Sequence, residues 1–207
     1  MRDKLLLKDS VTPKDIDIHI HTIFSDGRSG LDDTVEAAMR KNLKIIAITD
    51  HYSELQPLAK RLSKSHLQGY LEALEEKTVL KGVEAEIFAD GTPSISRKTV
   101  ESLDIVLGGL HILHDIVFWH DSTSILNQKR FIEVMRMAFE KCMETHLVDI
   151  IAHVTWLPEN IRSESTKLIT DDWLTNIVTS ASDHGVAIEL SSAWNVPNEI
   201  FIKECIH

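Results

Sequence analysis

Asp17-Ile-His-Ile-His21-Thr-Ile-Phe-Ser-Asp-Gly27 is the stretch that decides how this chain is read. In an extended strand successive side chains alternate between faces, so Asp17, His19 and His21 fall on one face and Ile16, Ile18 and Ile20 on the other. Two imidazoles beside a carboxylate are costly to bury unless each finds a partner. A divalent cation satisfies both through ring nitrogens, while Asp17 can orient one of them from the second layer. A hydrogen-bonded pair of core histidines is the plainer alternative.

Outward from this stretch, short β-branched runs alternate with longer amphipathic ones, the pattern of βα units around a parallel sheet. The expected strands are Asp15–Thr22, Leu43–Thr49, Thr78–Glu84, Leu103–Gly109, Val148–His153 and Val186–Leu190, and their Ile and Val content suits burial on both faces. Helical periodicity covers Leu31–Lys41, Ser63–Lys77, Gln128–Thr145 and Asp171–His184, the last closed by Gly185 as a left-handed cap. Phe88–Pro93 reads as a turn, and Pro197–His207 as a helix with no strand after it. The fold class is α/β with about six βα units. A sheet that ends so leaves strand edges open, and self-association through that edge is expected.

With 207 residues, 43% of them hydrophobic, the chain suits one sizeable core, and a single domain over 1–207 is expected. No run reaches the roughly 18 apolar residues a membrane span needs, and Leu5-Leu-Leu7 is too brief for a secretory signal, so a cytoplasmic protein without membrane contact is expected. Cys142 and Cys205 have no ligand-like spacing. A formal net charge of -10 argues against broad affinity for nucleic acid but leaves room for a small phosphorylated substrate, since cations in a pocket reverse the local field.

Eleven histidines are many for this length, and their places matter. The second strand runs out in Thr49-Asp50-His51, the third in Gly82-Val-Glu84-Ala-Glu86, the fourth in Gly108-Gly-Leu-His111, the fifth in Ile151-Ala-His153 and the sixth in Ile188-Glu189. One acid or histidine at a strand end is more often a solvated cap than a ligand. Six on the same rim of a parallel sheet, where α/β folds place their sites, are not independent accidents. Imidazoles and carboxylates without thiolates suit Zn, Mn or Fe, and two or three such ions would lower the pKa of a shared water and clamp a phosphoryl group. Hydrolysis of a phosphate ester follows.

These blocks in this order resemble the polymerase and histidinol phosphatase (PHP) family. The resemblance implies a distorted (β/α)7-type barrel with a trinuclear metal site. It implies that His19, His21 and a bridging Glu84 hold one cation, that Glu84, His111 and His153 hold a second, and that His51 and Asp26 serve a third. Glu84, His111 and His153 are then the catalytic group, with Asp17, Asp50 and Glu189 behind the ligands. Family members also carry an Asp-x-His pair on a seventh strand, which this sequence ends before, so weakened metal binding and reduced turnover are expected of it.

The substrate is expected to be a phosphomonoester such as histidinol phosphate or a nucleotide. A proofreading nuclease is the second reading, and a non-catalytic remnant that binds metal or a partner is the third. Arg28 and Arg162 are candidates for gripping phosphate, although a solvated arginine is the commoner outcome. His114 and His120 follow His111 closely enough to touch substrate. Trp156 and Trp194 could wall the pocket or pack the core. His66, His146 and His184 read as helix surface or helix ends.

Overall fold

The computed structural model describes residues 11–56, 58–119, 124–191, 196–197 and 199–204. Readings that fell on His120, Trp194, Cys205 and His207 lie outside the described residues. The chain divides into two compact units, one formed by the described residues up to Ala85 with Ser94–Leu107, the other by Glu86–Pro93 with those from Gly108 onward.

In the first unit the chain runs β1 (Ile16–Ile20), α1 (Leu31–Arg40), β2 (Ile45–Ile48), β3 (His51–Tyr52), α2 (Leu67–Glu75), β4 (Leu80–Glu86), α3 (Arg97–Val100) and β5 (Ile105–Gly109). The last residue of β4 and the last two of β5 count with the second unit. Strand order is β1-β2-β4-β5, with Ile16 opposite Ile45 and Ala47 opposite Leu80 in parallel register. Ile46, Ala47 and Ile48 are all buried, as are Val83 to Ala85, so these strands are covered on both faces, which is what their apolar runs lead one to expect.

In the second unit a hairpin of β6 (Ile112–Leu113) and β7 (Ile116–Val117) precedes α4 (Gln128–Glu144), β8 (Ile150–Ile151), α5 (Ser165–Leu168), α6 (Asp171–His184), β9 (Ala187–Ile188) and α7 (Glu199–Glu204). The end of β5 neighbours β8, and β8 pairs β9 in parallel, Ile151 opposite Ile188. Phe118, Phe131, Met135, Phe139, Leu157 and Ile177 fill the core here. The Trp173 indole donates to the Ile132 carbonyl at 3.1 Å and ties α6 to α4.

The α/β class stands, and β1, β2, β4, β5, β8 and β9 are the six expected strands. Their lengths differ. The fifth and sixth shrink to Ile150–Ile151 and Ala187–Ile188, while the third extends through Glu86. Helix α6 matches its expected bounds, because Thr170 accepts from the Trp173 amide at its start and Gly185, at φ 64°, supplies the left-handed cap at its end. Helix α2 begins at Leu67 rather than Ser63. The Ser63 hydroxyl bonds Ser65 at 2.8 Å and His66 Nδ1 at 2.9 Å, local polar contacts that compete with a helical turn. Cys142 is buried in α4, and burial pushes its thiol pKa up. Among the described residues no helix is long and apolar enough to cross a membrane.

Candidate metal centre

The first unit gathers its chemistry on Glu84. Parallel pairing sets His51 of β3 opposite Glu84 of β4, and pairing of β1 with β2 delivers His19 and His21 at the carboxyl end of β1. Oε2 of Glu84, whose residue is 1% exposed, lies 3.3 Å from His19 Nε2, 3.2 Å from His21 Nε2 and 2.8 Å from His51 Nδ1. The two Nε2 atoms of His19 and His21 are 3.1 Å apart. Three ring nitrogens crowded on one carboxylate oxygen form a donor set of the kind a divalent cation reconciles, since neutral imidazoles otherwise turn lone pairs or protons on one another. His21, His51 and Glu84 can each offer a ligand atom to one ion.

Asp26 closes this set from the loop after β1. Its Oδ1 is 2.9 Å from His21 Nδ1 and its Oδ2 is 3.5 Å from His51 Nε2. Those imidazoles hold the Asp26 carboxyl far below the usual range. Burial works against protonating His21, but its hydrogen bonds to Asp26 and Glu84 outweigh that and raise its pKa. The loop reaches this place by doubling back on itself. Gly27 donates to the Thr22 carbonyl at 2.9 Å, and a Cβ there would stand 2.3 Å from the His21 carbonyl oxygen, so only glycine fits.

Asp50 anchors the same loop. Its buried carboxylate accepts from the Thr22 amide (2.8 Å), the Thr22 hydroxyl (2.8 Å) and the Ser25 hydroxyl (2.6 Å). Burial raises its pKa in spite of these donors. Tyr70, buried on α2, directs its hydroxyl to the carbonyls of Ile48 (3.1 Å) and Gly82 (2.9 Å) and so ties the end of β2 to β4.

The second unit carries His111, two residues past β5, and His153, two residues past β8, with ring centroids 4.9 Å apart. Each is braced by a carboxylate. Glu86 accepts from the His111 amide at 3.1 Å and faces His111 Nδ1 at 3.2 Å, which places the proton on Nδ1 and leaves Nε2 as the ligand atom. Glu189, carried in by the register of β8 with β9, accepts from the His153 amide at 2.6 Å. His153 has φ 32°, a left-handed conformation that costs a non-glycine residue about 1–3 kcal/mol and is typically kept where function needs it.

The sequence of this chain matches the PHP domain over residues 17–193. The chain belongs to the PHP family. It is 32% identical over 146 residues to the DNA polymerase/3'-5' exonuclease PolX of Bacillus subtilis, a match covering 67% of this chain and 23% of that protein. It is 31% identical over 98 residues to the probable phosphatase YcdX of Escherichia coli, covering 46% of this chain and 40% of that one, and equally to YcdX of Shigella boydii. The chain thus matches less than half the length of these relatives.

Against the PHP pattern expected from sequence, the first unit brings together His19, His21, Asp26, His51 and Glu84, and the second brings together His111 and His153. Asp17 is exposed, and its carboxylate accepts from the His19 backbone amide at 3.4 Å. Arg162, offered as a phosphate grip, has Nε bonded to the Leu157 carbonyl at 3.1 Å and its guanidinium 5.3 Å from the Trp156 ring centroid. Arg28 is exposed. His66 stands at the N-cap of α2 and bonds Ser63, while His146 and His184 meet edge to face at 5.4 Å. Trp156 is 9% exposed and packs at 5.3 Å from His153 and 5.7 Å from Phe118, making it both wall and core. His114 is exposed at the turn of the β6–β7 hairpin.

Glu86, which closes the third strand two residues beyond Glu84, received no role of its own from sequence. Its period-two spacing was the available signal. A cavity of about 300 Å³ among α4, α5 and α6, lined by Lys129, Glu133, Arg136, Lys167 and Trp173, contains none of the histidines and has no part in this chemistry.

Proposed function

We propose that this chain is a metal-dependent phosphoesterase acting on a small phosphorylated substrate. The observation that carries the reading is the convergence of three imidazoles on one buried carboxylate oxygen at the carboxyl ends of strands. Within the first unit His19, His21, His51, Glu84 and Asp26 would hold a cation, and within the second His111 and His153 offer ring nitrogens of their own. Two or three divalent cations, Zn, Mn or Fe, would when bound supply Lewis acidity toward phosphoryl oxygens and water.

The chain's own residues do the rest. Glu84 supplies the buried negative charge that offsets the ions. Asp26 and Glu86 fix which ring nitrogen of His21 and of His111 faces inward. Asp50 keeps the loop bearing Asp26 folded against His21. The YcdX relative, a probable phosphatase by name, supports a phosphomonoester as substrate.

A second reading, a nuclease, is favoured by the PolX relative, named as a 3'-5' exonuclease. The net charge of -10 weighs against it, because single strands are usually tracked along a basic groove. Purified protein should therefore be stripped of metal, reloaded with Mn or Zn, and offered small phosphate esters and single-stranded DNA. We expect metal retention above one ion per chain and metal-dependent release of phosphate from the small esters. Cleavage of DNA alone selects the nuclease, and protein that retains no metal and hydrolyses neither refutes both.

A further inference from the structure

We infer that Tyr70 is the positioning residue of the first unit's metal centre: its hydroxyl carries the register of β4 across the break between β2 and β3 and so holds His51 against Glu84. This rests on reading the crowded histidines as a cation site, and it adds a residue that touches neither ion nor substrate. Its origin is the sequence of α2, where Leu67, Tyr70, Leu71 and Leu74 recur at helical spacing and turn one face inward. Tyr70 is 1% exposed and Leu74 is fully buried, so the phenol lies inside the core. A buried hydroxyl needs hydrogen-bond partners, and the partners it has decide what it does.

Ile48 stands opposite Lys81 and His51 opposite Glu84, the same register on either side of Thr49 and Asp50, which belong to no strand. The chain leaves the sheet at these residues and returns in step. In that gap the Tyr70 hydroxyl shares its proton between the carbonyls of Gly82 (2.9 Å) and Ile48 (3.1 Å) and faces the Asp50 amide at 3.4 Å. It thereby joins both lips of the break to the strand with which they must stay aligned, a task that ladder bonds perform elsewhere. Immediately beyond, the Glu84 amide donates to the Asp50 carbonyl at 3.1 Å. Gly82 lets the strands close on this point, since a Cβ there would stand 2.6 Å from Thr49 Cγ2 and 3.1 Å from the Ile48 carbonyl oxygen. Further contacts spread the hold. The Ile20 amide, between His19 and His21, donates to the Thr49 hydroxyl at 3.1 Å, and the Phe24 ring, two residues before Asp26, meets the Tyr70 ring edge to face at 5.2 Å. The segments bearing His19, His21, Asp26 and His51 are thus fastened to Tyr70 directly or through the strand end that it holds.

The test compares Tyr70→Phe, which keeps the ring and removes only the hydroxyl, with Leu74→Ala, which damages the same buried face of α2 and whose side chain makes none of these bonds. Mn affinity is measured by calorimetry, stability by thermal melts, and coordination by the visible spectrum of the Co-loaded protein. Tyr70→Phe should bind Mn about tenfold more weakly, the lower end of the loss for groups behind a metal's ligands, and should shift the Co bands. Leu74→Ala should melt at least as far below the wild type, yet keep wild-type Mn affinity and Co bands at a temperature where it is folded. Wild-type affinity and spectrum in Tyr70→Phe would overturn the proposal, as would equal losses in the two variants, which would make Tyr70 an ordinary core residue. A Tyr70→Phe chain that does not fold would overturn it too, because the hydroxyl would then serve the fold and not the site. Wild-type protein that takes up no Mn would remove the metal-centre reading and this proposal with it, so the two failures are told apart.

Discussion

His19, His21 and His51 share one carboxylate, whereas His111 and His153 each have a carboxylate of their own. In the shared arrangement the imidazoles crowd Glu84 and one another, with two Nε2 atoms 3.1 Å apart. In the braced arrangement Glu86 faces the His111 ring and Glu189 holds the His153 backbone amide, and the rings lie 4.9 Å apart. A crowded set gains most when a cation arrives, because the ion replaces repulsion with coordination. A braced pair is already arranged and gains less. The first unit should therefore depend on metal for part of its stability, and the second should hold its shape without it.

The largest effect should follow from Glu84→Gln, which keeps size and removes the charge on which three imidazoles converge. We expect metal affinity to fall by more than about a hundredfold, since even outer carboxylates are worth tenfold to a hundredfold. The rise in melting temperature that metal gives the wild type should vanish with it. Calorimetric titration and thermal melts in the presence and absence of Mn decide the matter. A Glu84→Gln protein that binds and is stabilised like the wild type would mean that the crowded set is a hydrogen-bonded cluster and not a metal centre.

Glu86→Leu addresses the braced pair, with a smaller expected loss of about tenfold to a hundredfold in affinity. Its specific mark is the tautomer. Nitrogen-correlated NMR of the metal-free protein should find the His111 proton on Nδ1 in the wild type and a mixture of tautomers in the variant, while Glu86→Gln, whose amide oxygen can still accept, should keep the wild-type form. An unchanged tautomer in Glu86→Leu would break the contrast between the two sets.

Much of this contrast was open to sequence reasoning, and the part that was not has physical causes. Period-two spacing in β1 announced His19 and His21, and helical periodicity with Gly185 gave α6 its bounds. Glu86 stayed hidden because an acid at a strand end looks the same whether it faces water or a histidine. The β6–β7 hairpin was unreadable because its turn is His114-Asp115, with His114 at φ 55°, where such turns usually announce themselves with Asn-Gly or Asp-Gly. Arg162 looked available for phosphate since nothing local discloses its bond to Leu157 or its place over Trp156. Strands β8 and β9 were overestimated because apolar β-branched residues mark burial as readily as pairing.

The smallest effect comes from Glu54, a carboxylate of the first unit held by Lys64, Ser96 and Thr99, which separates stability due to an ordinary polar network from stability due to the crowded histidines. Glu54 takes the Lys64 ammonium at 2.6 Å, the Ser96 amide at 3.0 Å and the Thr99 hydroxyl at 2.8 Å. Burial pushes its pKa up, but these donors outweigh burial and hold it at about 2 against an ordinary 4.5. A carboxylate with a depressed folded pKa stabilises fully above its unfolded pKa, and that contribution drains away as pH falls through the folded one. Glu54→Gln should thus cost on the order of 2 kcal/mol at pH 7, and the gap to wild type should narrow from pH 4.5 downward and close near pH 2. Because the Lys64 head is exposed, part of the gap should also shrink in high salt, whereas metal should leave it untouched. Chemical denaturation of both proteins across pH, with and without Mn, reads all three dependences. A gap that is independent of pH would show that the neutral hydrogen bonds, and not the charge on Glu54, hold this corner together.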